Sequence, residues 1–147
     1  MKKISITFCL AVVGITTLQA QEYKLITVVE SIVPGGLGRS RMIENKTDMN
    51  IDEFTTERTD GKKSNQSGVK RRDAKVDRFA ESKLLNFYSA AGINFQNIAS
   101  NDALITSKIN QMIEEGWDLA FVIGGVESDA GETDSKGIFI TRYIFKK

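Results

Sequence analysis

Apolar and polar positions divide the chain into stretches of distinct rhythm. Residues 4–15, I-S-I-T-F-C-L-A-V-V-G-I, are almost wholly apolar. Lys2 and Lys3 precede them, and T-T-L-Q-A follows, ending at Ala20. A basic start, a short apolar run and a polar tail closing on a small residue is the order of an export signal. A membrane-spanning helix needs about 20 apolar residues, more than this run supplies. The expectation is a signal peptide over residues 1–20, with no stable membrane span after cleavage.

Residues 23–33, Y-K-L-I-T-V-V-E-S-I-V, are rich in β-branched and aromatic residues and predict a strand. Tyr23, Leu25, Thr27, Val29 and Ser31 share one face, and Lys24, Ile26, Val28, Glu30 and Ile32 the other. Both faces are mixed, as in a central strand partly covered on each side. Residues 34–38 break the pattern, and 39–45 return as a second strand. Residues 46–78 are highly charged and poor in apolar side chains. Such a composition buries little surface, which predicts a mobile polar insertion with a short strand near residues 54–58.

Residues 76–95 fit helical and strand spacing equally, and periodicity does not settle so short a run. Beyond them the rhythm is helical. Leu104, Ile105, Ile109, Met112 and Ile113 form a stripe at three-to-four spacing. Ser100, Asn101 and Asp102 offer N-cap oxygens, and Gly116 offers the left-handed position after the helix. The helix is therefore predicted over about 101–115. Residues 117–126 follow as a strand with Trp117, Leu119, Phe121 and Ile123 on one face, Trp117 filling the core between helix and sheet. Residues 138–145, I-F-I-T-R-Y-I-F, form its hairpin partner. The fold class is α+β: a small antiparallel sheet with one main helix packed on one face and a long polar insertion. Residues 21–147 make a single domain.

Composition narrows the chemistry. The chain has 147 residues, twenty basic and nineteen acidic, for a formal charge of +1. Losing Lys2 and Lys3 leaves eighteen against nineteen, or −1. That balance argues against a nucleic-acid partner. Histidine is absent, and Cys9, inside the apolar run, is the one cysteine. Ser-His-Asp and Cys-His catalysis are closed to this chain. No disulfide, metal site or cofactor is expected.

Some residues carry a resemblance. E-E-G-W-D-L-A-F-V at residues 114–122, with a helix before it and the final R-Y-I-F-K-K, resembles a family of small bacterial domains of unknown function. Their pattern is a helix, E-G-W-E-L, a strand, a loop and a closing strand ending in a basic residue. The opening E-Y-K-L at residues 22–25 matches their usual start. Asp118 stands where the family usually has Glu, and residues 34–98 are far longer than in a typical member. The resemblance implies an α+β fold and no catalytic residues. The whole chain also resembles exported proteins of unknown function from envelope-bearing bacteria.

Four constellations could carry chemistry. V-P-G-G-L-G-R-S-R, residues 33–41, has the look of a phosphate cradle. It fails G-x-x-x-x-G-K-[ST], because Ser40 stands five residues after Gly35, and fails G-x-G-x-x-G, because Arg41 stands five after Gly36. It reads first as a glycine-rich turn between strands. The alternative is an anion-binding loop of Gly35, Gly36, Gly38, Arg39 and Arg41. Glu127, Asp129, Glu132 and Asp134 cluster in an acidic loop without the EF-hand spacing and read as a solvated hairpin tip. K-R-R-D-A-K at residues 70–75 lacks aromatic interleaving and reads as a solvated face. Glu114 and Glu115 point apart on a helix and make no acid–base pair.

The functional expectation is an exported cell-envelope protein, periplasmic or extracellular. It would be a non-enzymatic module binding another envelope protein or a small ligand, with the insertion as its partner-contacting part. The alternative is a protein or enzyme that binds an anionic or phosphate ligand through Arg39 and Arg41.

Overall fold

The computed structural model describes residues 20–33, 39–127 and 137–147. Five strands form one antiparallel sheet: β1 (Tyr23–Ser31), β2 (Arg41–Asn45), β3 (Phe79–Lys83), β6 (Asp118–Glu127) and β7 (Ile138–Lys146), in the order β3-β2-β1-β7-β6. A two-stranded hairpin, β4 (Tyr88–Ser89) and β5 (Gly92–Ile93), precedes α1 (Phe95–Glu114), the single α-helix among the described residues. The fold is α+β with one helix on one face of an antiparallel sheet, as the apolar rhythm predicts. No helix among the described residues is long and apolar enough to cross a membrane.

β1 is central, and its alternation decides which face is covered. Ile26 and Val28 are buried, as are Met42 on β2 and Phe145 on β7. With Ile105 and Met112 from α1 and Leu84 after β3, they make the core. Ile109, Trp117 and Tyr143 pack against it half-buried, so Trp117 does join the packing between helix and sheet. The opposite, more open face is covered only in part: Tyr23 is 61 % exposed and Leu25 43 %, but Thr27 and Val29 are half-buried and Ser31 is buried. The expected partial cover of both faces is thus found, more complete on the helix side.

The helix begins earlier than its apolar stripe. Asn94 is the N-cap, its side-chain oxygen accepting from the Asn97 amide at 3.1 Å. The predicted caps lie inside the helix: Ser100 donates back to the Gln96 carbonyl, and Asn101 is fully buried. Only Ile105 and Met112 of the stripe are buried, while Leu104 and Ile113 lie at its exposed rim. The C-terminus matches expectation. Gly116 sits at φ 84°, and the Gly116 and Trp117 amides donate to the Ile113 and Met112 carbonyls. That is the double hydrogen bond of a Schellman ending, in which a β-carbon at Gly116 would be strained. Lys147 Nζ adds a bond to the Glu115 carbonyl at 3.0 Å, favourable at the negative end of the helix.

Two further expectations change, and one open alternative is decided. Residues 54–58 form no strand. Ile51–Phe54 is instead a turn of 3₁₀ helix capped by Asn50, because the Asn50 side chain accepts from the Asp52 amide and sets up a local turn. Residues 76–95 resolve into β3 and the β4–β5 hairpin rather than one helix. In β6 the alternation breaks: Leu119 pairs with Phe145 but Phe121 with Ile144, leaving Ala120 as an extra residue. This bulge puts Leu119 on the helix side and Phe121 and Ile123 on the open side.

The insertion is a closed excursion between β2 and β3. The Lys46 amide and the Thr47 hydroxyl both donate to the Arg78 carbonyl, at 3.1 and 3.0 Å, so its two ends meet. Between them the residues are mostly exposed and held by local bonds. Asp60, for example, accepts from the Lys62 and Lys63 amides, and bonds from Lys63 and then Lys62 pull its carboxyl below the usual range.

Candidate functional site

A polar network fixes the end of the sheet where β1, β2 and the chain after β3 converge. Ser40 is fully buried. Its hydroxyl donates to Asn86 Oδ1 at 2.8 Å and accepts from the Ser31 amide at 3.0 Å, while its carbonyl takes the Leu84 amide. Asn86 Nδ2 donates to the Val33 carbonyl, and Asn97 Nδ2 reaches down from α1 to the Asn86 carbonyl at 2.7 Å. One turn on, buried Asn101 accepts from the Leu85 amide and donates to the Leu85 carbonyl and to Glu30. Segment 84–86 is thereby tied to both sheet and helix. Every buried polar side-chain atom among the described residues has a partner, so the network is rigid rather than strained.

This frame walls a cleft of about 580 Å³. Arg39, Arg41 and Lys83 line it, with Tyr88 of the β4–β5 hairpin and the apolar Leu84 and Leu85. No acidic residue among the described residues lines it. Arg41 and Lys83 are direct cross-strand partners in the β2–β3 ladder. Like charges placed opposite one another in a sheet repel. Arg41 Nη1 donates to the Ser40 carbonyl at 2.8 Å, which anchors the guanidinium without neutralising it. None of the three cations forms an ion pair among the described residues. The arrangement can hold an anion: two guanidinium forks suit phosphate or carboxylate oxygens, with an ammonium and a phenol beside them.

Two of the five residues expected at the anion site, Arg39 and Arg41, come together here. Gly35, Gly36 and Gly38 lie outside the described residues. Sequence reasoning missed Lys83. Lys83 reaches the cleft only through the β2–β3 register, and Tyr88 only through the docking of segment 84–86. Neither carries a local signal. Asp129, Glu132 and Asp134 of the acidic loop also lie outside the described residues.

A second charged cluster lies under the helix, where β2 carries Glu44. Its carboxylate takes Lys24 and Lys108 at 2.8 Å each, and Lys46 as well. Burial pushes the carboxyl up, but the bonds from Lys108, Lys24 and Lys46 prevail and hold its pKa at about 2. Lys24 and Lys147 also place their ammonium groups 5.7 Å from the Trp117 ring. This cluster ties helix to sheet and already carries its own anion. Tyr143 nearby has its phenol pushed up by burial and by the Glu30 and Asp102 charges, so it stays protonated.

No protein-family model, no curated protein and no solved structure matches this chain. The reading of the cleft therefore rests on its own chemistry.

Proposed function

We propose that this is an exported cell-envelope protein, a non-enzymatic binding module whose cleft takes an anionic small ligand or group. One observation carries the reading: Arg41 faces Lys83 across the β2–β3 ladder, with Arg39 beside them and no acid among the described residues of the cleft wall. An anion seated there relieves the repulsion that the register imposes. Phosphate, sulfate and carboxylate groups share the needed chemistry, and Tyr88, Leu84 and Leu85 offer surface for an apolar or ring-shaped remainder. The absence of histidine, and of any cysteine beyond Cys9, speaks for binding rather than turnover. Export and kinship with small bacterial domains of unknown function belong to the same proposal. They are supported by residues 1–20 and by the helix-G-W-D-L-strand ending.

Thermal melts with inorganic phosphate, sulfate and nucleotides test it. An anion at 100 times its Kd adds about 2.7 kcal/mol, a rise of several degrees in Tm. Arg39→Ala, at an exposed position, should abolish that rise and leave the ligand-free Tm unchanged. If none of these anions moves the wild-type melt, the reading fails.

A further inference from the structure

β6 ends the sheet with its outer edge unpaired among the described residues. It is ten residues long, and L-A-F-V-I-G-G-V at residues 119–126 holds no charge and no proline. Phe121, Val122, Ile123 and Val126 are each more than half exposed, so both faces of the strand are bare at this edge. Edge strands usually carry charge, proline or short length to prevent pairing with another chain. Between its bulge at Ala120 and its last residue, Glu127, β6 carries none of these.

The glycine pair is the second observation. A β-carbon on Gly124 would meet nothing within 4 Å, and one on Gly125 only the Ile140 carbonyl at 4.0 Å. Neither has positive φ. Nothing in the chain's own packing or backbone demands glycine here, and glycine weakens a strand interior. In strands it marks places where a ligand or another backbone comes close. Above the pair lies a groove of about 390 Å³, lined by Ile123, Val126, Ile138, Ile140 and Arg142.

We propose that β6 is the strand through which two copies of this chain pair, antiparallel, about a two-fold axis at Gly124. The pleat and the symmetry together select the register. A two-fold normal to the sheet keeps open face beside open face, so residues of equal parity must oppose each other. Centring on Gly124 pairs residues 121–127 wholly beyond the bulge at Ala120. Ile123 of each copy then lies opposite Gly125 of the other, on the same open face, and large fills small twice over. Val122 meets Val126 on the helix side. A foreign strand would need this complement by chance, whereas β6 supplies it to itself. Covering Phe121, Val122, Ile123 and Val126 of both copies removes at most roughly 800 Å² from water, the low end for a specific interface, and the backbone hydrogen bonds of the shared ladder add to it. The axis is at the edge opposite the anion cleft, so dimerisation leaves both clefts open and does not depend on their ligand.

Sedimentation equilibrium of the purified protein should give a closed dimer. Ile123→Lys and Gly125→Val should each raise the dimer dissociation constant at least tenfold, with an unchanged circular dichroism spectrum and monomer melt. In a Cys9→Ser background, Gly124→Cys should cross-link to dimers under mild oxidation faster than Ile123→Cys or Val126→Cys. A monomer at every concentration, open-ended aggregates in place of a dimer, a dimer indifferent to both substitutions, or preferential cross-linking at another position would each overturn the proposal.

Discussion

The β3 edge of the sheet is five residues long and presents Glu81 and Lys83, while the β6 edge is ten and uncharged between Asp118 and Glu127. Next to β3, chain segments from four elements are tied by Ser40, Asn86, Asn97 and Asn101. Among the described residues β6 has only β7 as a strand neighbour. The two edges therefore separate two kinds of specificity. Directional polar bonds hold cations at fixed places, which suits recognition of a small charged group. An apolar strand with free backbone offers a repeating, shape-based match, which suits another strand.

The sharpest break of this contrast compares two phenylalanines. Phe145 is fully buried on β7 and Phe121 is 62 % exposed on β6. Phe145→Ala should cost about 4 kcal/mol in urea denaturation. Phe121→Ala should cost the isolated monomer less than about 1 kcal/mol. Equal costs would mean that the β6 edge is part of the folding core after all.

A somewhat smaller effect lies under the helix, in the Glu44 cluster. The carboxyl titrates at about 2 in the folded chain against 4.5 ordinarily. Its folded pKa is depressed, so its contribution is full above about pH 4.5 and is lost as pH falls toward 2. A shift of that size is worth about 3 kcal/mol. Glu44→Gln should be the less stable protein at neutral pH, and the gap should close on acidification. A gap that stays constant from pH 6 to pH 2 would assign the loss to packing rather than charge.

The same division decides what the sequence could reveal. Features set by neighbours along the chain were legible: the β1 alternation, the helix ending at Gly116 and the closing hairpin of β6 and β7. Features set across the sheet were not. F-A-E-S-K at β3 is exposed at every position and shows no alternation, and it is a strand because β2 offers it a ladder. The helix start was hidden because Q-N-I-A-S has little apolar rhythm, while Asn94 as cap and Asn97 as tether act through single bonds. Arg39 and Arg41 were visible as candidates because they adjoin a glycine-rich stretch. Their partners Lys83 and Tyr88 lie more than forty residues on, and only folding brings them near.

The smallest expected effect concerns the insertion, which belongs to the β3 edge by position but not by bonding. Its ends meet at Lys46 and Arg78, and the residues between bury almost nothing. Replacing residues 47–77 by Asn-Gly gives β2 and β3 the two-residue connection that antiparallel neighbours favour. The loop to be closed falls from about thirty residues to two, and closure entropy grows only as the logarithm of length. The shortened protein should therefore keep its spectrum and gain about 2 kcal/mol, with the exposed Thr47 bond a minor loss. Anion melts on the same protein then divide the roles. An unchanged response confines the ligand to the cleft, whereas a lost response places part of the site on the insertion and ends the separation of the two edges argued above.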